Sequence, residues 1–228
     1  ESVREMDTGV RGQLRVGVIY STALIATQLI KEYHQRFPKV DLYVRMGSPD
    51  DLLEDLWRRD LHVLFLRDQS RRPYNLKEQV LGEDPRELVM CPETDPAPGQ
   101  DAVPIQALRD VPMCLLGNDD LWDYSRGLVA ECHRAGFAPN VVCQCYDTPM
   151  ELQMILAGFG VGFLPRSIGK TCPGSAVYTK PVLEFSPMSY PILLWNNDPH
   201  HAGCVRQFLA LASQLQEGKQ TQAANFIK

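Results

Sequence analysis

The chain has 228 residues, 44% of them hydrophobic and 22% charged, with 23 Lys and Arg against 28 Asp and Glu for a formal charge of -5. That length can bury a sizeable core, as one large domain or two small ones of about 100 to 150 residues each, and the composition excludes a disordered or fibrous chain. The basic residues never gather into a run that could neutralise many phosphates, and no stretch approaches the roughly 18 apolar residues of a membrane span, so nucleic-acid grip and membrane insertion by these residues are excluded.

The first residues, Glu1 to Gln13, lack the apolar core of a signal peptide. The chain opens on Glu rather than Met, so a longer protein with a segment upstream is expected. Leu14 to Ile19 alternates as a strand, and Ser21 or Thr22 can cap a helix carrying Ile25, Leu29, Ile30, Tyr33 and Phe37 on one side until Pro38 stops it. Val40 to Met46 alternates again. Ser48, Pro49 and Asp51 signal a helix with Leu52, Leu53, Leu56 and Trp57 inward. His62 to Leu66 is apolar enough for a buried parallel strand.

Glu87 to Cys91 is a further strand, and Pro92 to Gly99, with three prolines and a glycine, breaks the chain. A second unit follows: a short helix over Ile105 to Arg109, a strand over Met113 to Leu116, a helix over Leu121 to Ala135 closed by Gly136, and a strand over Val141 to Tyr146. Thr148, Pro149, Met150 and Glu151 spell a capping box that starts a helix through Ala157, after which Gly158 to Pro165 runs into a buried strand. Pro191 to Trp195 is a strand, a helix follows around Val205, Phe208, Leu209, Ala212 and Leu215, and a polar tail begins at Glu217. Strands alternating with helices predict parallel sheets covered on both faces, in two α/β subdomains.

Seven cysteines, odd in number and dispersed in apolar segments, predict buried thiols in a reducing cytoplasm rather than a disulfide framework. Cys143 and Cys145 form a C-x-C on one strand face, without the second pair that a tetrahedral zinc site needs.

Gly12-Gln13-Leu14-Arg15-Val16-Gly17-Val18, the helix ending Phe37-Pro38, Val40-Asp41-Leu42, the strand Leu61-His62-Val63-Leu64-Phe65 and the segment Ala157 to Pro165 occur in an order and spacing that resembles the effector-binding domain of LysR-type transcriptional regulators. Their patterns are G-x-L-x-I-G, F-x-x-x-x-P, L-D followed by two apolar residues, and A-G-x-G-I-A-x-L-P. His62 departs from a usual Asp, and Gly162 from a usual alanine; a strand-edge histidine bonded to backbone is expected at position 62.

The resemblance implies an α/β fold of two Rossmann-like subdomains joined by two crossover strands, like type 2 periplasmic binding proteins, with a ligand cleft between them. Subdomain I would comprise 12–88 and 188–216 and subdomain II 89–187, with crossovers near Glu87 to Cys91 and Phe185 to Pro191. Residues 1–11 would end a linker helix, and 217–228 would be a polar tail. It implies a homodimer or homotetramer whose contact with DNA runs only through an N-terminal helix-turn-helix missing from this chain.

Ligands of such sheets sit beyond the carboxyl ends of the strands, where helix N-termini offer free N–H groups. The turns are Ser21-Thr22, Gly47-Ser48, Leu66-Arg67-Asp68, Gly117-Asn118-Asp119 and Asp147-Thr148. Ser21, Thr22, Ser48, Arg67, Asn118 and Thr148 are thus the candidate ligand-binding residues, for a small-molecule effector that is a carboxylate. Arg67 is its counter-ion, because a guanidinium can hold a carboxylate by two parallel bonds. Helix capping competes for Ser21, Ser48 and Thr148, and an ion pair with Asp68 or Glu54 competes for Arg67. Asp68, Asp119 or Asp147 facing inward would instead select an amine.

No G-x-S-x-G, H-E-x-x-H, P-loop or dinucleotide fingerprint is present, so neither an enzyme nor a cofactor is expected. His200 and His201 beside Asp198 read as surface capping rather than a metal site. The expected function is ligand sensing in a cytoplasmic transcription regulator; the alternative is a transport solute-binding protein for a small anion or amino acid.

Overall fold

The computed structural model describes residues 9–68, 75–117, 122–172, 176–185 and 187–225. It divides into two compact units, Glu1–Gly82 with Tyr190–Lys228, and Glu83–Ser189. The chain therefore passes between them twice.

Unit 1 opens with strand β1 (Gly12–Val18), helix α1 (Ala23–Arg36), β2 (Val40–Met46), α2 (Pro49–Trp57) and β3 (Val63–Arg67), followed by β4 (Leu76–Val80). Its five strands lie in the order β2-β1-β3-β10-β4, where β10 spans Pro191–Asn196 and arrives after the excursion through unit 2. β1 is parallel to both neighbours, but β10 runs antiparallel to β3 and β4. The expected all-parallel sheet is thus mixed. A strand entering from the other unit, without a crossover helix of its own, is free of the right-handed parallel rule.

Alternation sorts the strand residues onto two faces. Val63 and Phe65 join Leu14, Val16, Leu29, Tyr33 and Phe208 under α1 and the last helix, α5 (Gly203–Asn225). Leu64 and Leu66 join Leu52, Leu56 and Leu61 under α2. A Cβ on Gly17 would lie 2.6 Å from Leu61 Cδ1 and 3.4 Å from Leu52 Cδ2 of α2, so the Leu61 side chain, just after α2, packs against bare backbone there. Helix α5 continues to Asn225, past the tail expected from Glu217: Gly218 costs about 1 kcal/mol against alanine without ending the helix, and no proline follows. Residues 1–8 of the expected linker helix lie outside the described residues, and 9–11 are not helical.

Unit 2 carries β5 (Arg86–Met90), β6 (Pro112–Leu116), α3 (Trp122–Arg134), β7 (Asn140–Cys145), α4 (Thr148–Leu156), β8 (Gly162–Pro165) and β9 (Tyr178–Lys180). β5 lies antiparallel between β8 and β9, while β6 and β7 are parallel. Because both partners of β5 belong to unit 2, all of β5 does too, and the chain changes unit at Gly82/Glu83 and Ser189/Tyr190 rather than at 88/89 and 187/188. Val161 ties β6 to β8: its N–H donates to Pro112 O at 2.9 Å and its carbonyl accepts from Cys114 N–H at 2.8 Å. A Cβ on Gly160 would stand 2.1 Å from Pro112 O, which is why the Gly-rich segment cannot carry a side chain there. The core of this unit gathers Leu88, Met90, Leu108, Met113, Leu115, Leu128 and Phe163.

Candidate functional site

In unit 1 the carboxyl ends of β1 and β3 converge on the start of α1. Arg67 continues the Val63–Phe65 face of β3, which α1 covers, so its side chain runs beneath the first turn of that helix. It is 2% exposed. Its Nε donates to the Ser21 hydroxyl at 3.1 Å and its Nη2 to the Ser21 carbonyl at 2.6 Å. Of the ion pairs weighed against a ligand role, Glu54 is bonded to Arg58 instead.

Neither Ser21 nor Thr22 caps α1, contrary to expectation. The residues Tyr20–Thr22 form a turn of 3-10 helix, and the Thr22 hydroxyl donates to Ile19 O at 3.0 Å and to Phe65 O at 3.2 Å, binding β1 to β3 from a buried position. The N-cap of α1 therefore accepts no side-chain hydrogen bond from the helix, and its first turn holds no acidic residue. The 3-10 turn itself takes up the first N–H groups, Thr22 donating to Ile19 O at 3.0 Å and Ala23 to Tyr20 O, so what the start of α1 presents is the positive end of the helix dipole without an acidic side chain against it.

The other helix starts differ. Ser48 caps α2 in full: its Oγ accepts from Asp51 N–H at 3.2 Å and donates to Asp51 Oδ2 at 2.7 Å, and Asp50 and Asp51 occupy the first turn. The capping box expected from Thr148 to Glu151 is not formed. Asp147 is the N-cap of α4, accepting from Met150 N–H at 2.8 Å, because a carboxylate one residue earlier outcompetes a hydroxyl for the same donor. Thr148 is half-buried with no side-chain hydrogen bond to the described residues. Asn118 and Asp119 lie outside the described residues. Asp68 is turned to the backbone: its N–H donates to Tyr190 O at 2.9 Å and its Oδ1 accepts from Tyr190 N–H at 3.0 Å, clamping the chain where it re-enters unit 1. The structure thus joins Ser21, Thr22 and Arg67, and leaves Ser48 engaged at its own helix.

Two buried polar groups of unit 2 escaped the sequence. Glu151 is fully buried in α4, its Oε1 accepting from Phe163 N–H at 3.4 Å while Oε2 has no hydrogen-bond partner among the described residues. Burial pushes its carboxyl up to about 8, against the opposing pulls of Arg86 and of the Phe163 N–H. Asp95 holds Tyr178 Oη at 2.6 Å and Lys180 Nζ at 2.5 Å. An acid placed where a capping box is written gives no signal of burial, and nothing in the sequence pairs positions so far apart.

His62 Nδ1 accepts from Arg15 N–H at 3.0 Å, the backbone bond expected of it. Burial lowers its pKa, and the charges of Arg15 and His201 add to this. Asp198 pairs with Arg59 and accepts from His200 N–H. Among the described residues no group of three or more His, Cys, Asp and Glu is placed to hold a metal ion, and no helix is long and apolar enough to cross a membrane.

Residues 7–216 match the family described as LysR substrate binding domain. The chain is similar to the HTH-type transcriptional regulator BsdA of Bacillus subtilis (strain 168), 23% identical over 209 residues that make up 92% of this chain and 71% of that protein. It is similar to AlsR of the same organism, 25% identical over 173 residues, 75% of this chain and 57% of that regulator. The chain thus spans little more than half the length of AlsR. Its fold matches the CcmR regulatory domain of Synechocystis PCC6803, solved in complex with 2-PG, with a TM-score of 0.73 and 15% identity over 90% of this chain and 98% of that one.

Proposed function

The chain belongs to the LysR substrate-binding domain family, and from that premise we propose that it senses a small organic anion, a carboxylate, held at the first turn of α1 beside Arg67. The observation that carries this reading is the uncapped, acid-free first turn of α1 over a buried guanidinium, where α2 and α4 each have a side-chain cap and an acidic first turn. A helix dipole with no acidic residue against it and a buried guanidinium both favour an anion. The Ser21 hydroxyl adds orientation, being already fixed by Arg67. Ser48 serves α2.

Binding rather than turnover is the output: the effector stabilises one arrangement of the domain and so shifts the regulator between states. Contact with DNA belongs to a helix-turn-helix outside these residues, and the setting is the cytoplasm, where structural disulfides are rare. The family and relatives named as transcriptional regulators favour this over a transport receptor. A homodimer or homotetramer fits the outer edge of the unit 1 sheet, where β2 leaves Tyr43, Val44 and Met46 about half exposed.

Calorimetry with a panel of small organic acids tests the site. Arg67→Ala should weaken the acid that binds by about 2 to 5 kcal/mol, since the pair is desolvated. Unchanged affinity removes Arg67 from the site. A strictly monomeric species in light scattering across micromolar concentrations would overturn the oligomer.

A further inference from the structure

Strand β7 ends in a feature that effector binding does not use. Cys143 and Cys145, on one face of the strand, bring their sulfur atoms to 3.6 Å. Cys114 of β6 stands in register with Cys143 across the ladder, just after a bulge in the pairing. Cys143 is half-buried while Cys114 and Cys145 are buried. Of the remaining thiols, Cys91 donates to Ile155 O, Cys204 donates to Gln13 O and Cys132 is packed in the core of unit 2.

We propose that Cys143 and Cys145 form a reversible dithiol–disulfide pair, a redox modification site closed by thiol–disulfide exchange with a small-molecule disulfide. The Cys143 sulfur attacks one sulfur of R–S–S–R, giving a Cys143–S–S–R mixed disulfide and releasing one RSH. Cys145 then attacks the Cys143 sulfur, forming the Cys143–Cys145 bond and releasing the second RSH. The two thiol protons leave on the two RSH, the cysteines lose two electrons and the small disulfide gains them.

Accessibility sets the order of attack. Burial, with the neighbouring Cys143 thiol adding to it, pushes Cys145 up to about 12, and burial pushes Cys114 up to about 11, so both enter as protonated thiols, and the half-buried Cys143, the more accessible sulfur, attacks the small disulfide first. Residues two apart on a strand have Cα atoms about 6.6 Å apart, at the long end of what a disulfide spans. Such a bond strains the strand and reopens under thiol, as a switch must and a structural staple must not. It would act on a sensitive spot: Cys145 O accepts from Gly117 N–H at 2.9 Å, and two residues on Asp147 caps α4.

The test is a redox titration of the full chain in glutathione and glutathione disulfide, quenched by alkylation and digested with trypsin without reduction. The expected result is a peptide 135–166 lighter by two hydrogens and unalkylated at both cysteines, restored by reduced glutathione, lost in Cys143→Ala and kept in Cys114→Ala. A stable glutathione adduct on that peptide, a cross-link to peptide 110–126, or full alkylation of both cysteines under oxidising poise would each overturn the pair, and the wild-type chain alone gives these readouts.

Discussion

Arg67 grips Ser21 twice, through the side-chain hydroxyl and through the carbonyl of the same residue, so that the end of β3 and the turn before α1 move as one piece. Both contacts are buried. Removing the guanidinium leaves the buried Ser21 carbonyl without this donor, a loss of about 1 to 3 kcal/mol, and Ser21→Ala takes the hydroxyl acceptor from a buried charged donor, a loss of about 1.5 to 3 kcal/mol. Urea denaturation of Arg67→Ala and Ser21→Ala should show both losses. An Arg67→Ala midpoint equal to wild type would mean that the guanidinium does not brace the turn.

Glu151 makes stability depend on pH in the direction opposite to ordinary carboxylates. Its folded pKa, about 8, stands above the ordinary carboxyl value of 4.5. Between those two values the native state holds a proton that the unfolded chain has released, so stability is fully present below the lower one and falls as pH rises through the upper one. Glu151→Gln removes the titration while keeping an acceptor for Phe163 N–H. The variant should therefore gain on wild type steadily between pH 5 and 8, read as the difference in urea midpoint at each pH. A constant difference across that range would show that Glu151 is ionised in the folded chain.

These two residues show what a sequence discloses. Arg67 was visible because it ends an apolar run, and a charge at the end of a buried parallel strand is exceptional enough to single out. Glu151 was misread, because Thr148 and Asp147 are adjacent and both able to cap; which one does so depends on how the chain leaves β7. Strands with clear alternation, such as β1 and β2, fell where expected. β4, Leu-Lys-Glu-Gln-Val on a sheet edge, and the three-residue β9 carry too little apolar signal to stand out. The antiparallel entry of β10 is a property of the whole chain path, which no local pattern encodes.

Asp95 and Lys180 form the buried charge pair of unit 2, with side chains 4% and 11% exposed, completed by Tyr178 and the Ala97 backbone. Burial alone would raise the Asp95 carboxyl, but the hydrogen bonds from Lys180 and Tyr178 outweigh it and hold the group below its usual range. Lys180→Ala leaves that carboxylate buried without its cation and should cost about 3 to 5 kcal/mol, more than Asp95→Leu and Lys180→Met together. The pair's contribution is present above the ordinary carboxylate pKa and disappears as pH falls through the lower folded value. Thermal melts taken from pH 7 downward should thus show a wide gap between Lys180→Ala and wild type that narrows as the carboxyl is protonated; a gap that stays constant until both chains unfold would exclude the pair as the cause.

Arg59 closes α2 with a φ of 64°, a left-handed conformation in which helices usually place glycine. Its side chain is bonded to Asp198 at 2.8 Å, and its carbonyl accepts from Arg15 Nη2 at 2.8 Å, so side chain and backbone both tie this corner to neighbouring segments. Arg59→Ala and Arg59→Gly lose the same exposed ion pair, and the difference between them isolates the backbone. In a helix interior alanine is the more stable by about 1 kcal/mol. At a left-handed position a Cβ costs about 1 to 2 kcal/mol, which exceeds the extra freedom glycine has in the unfolded chain. Arg59→Gly should therefore exceed Arg59→Ala by about 0.5 to 1 kcal/mol in urea denaturation, a reversal of the helical order. Alanine ahead of glycine would place residue 59 inside the right-handed helix and lengthen α2 by a residue.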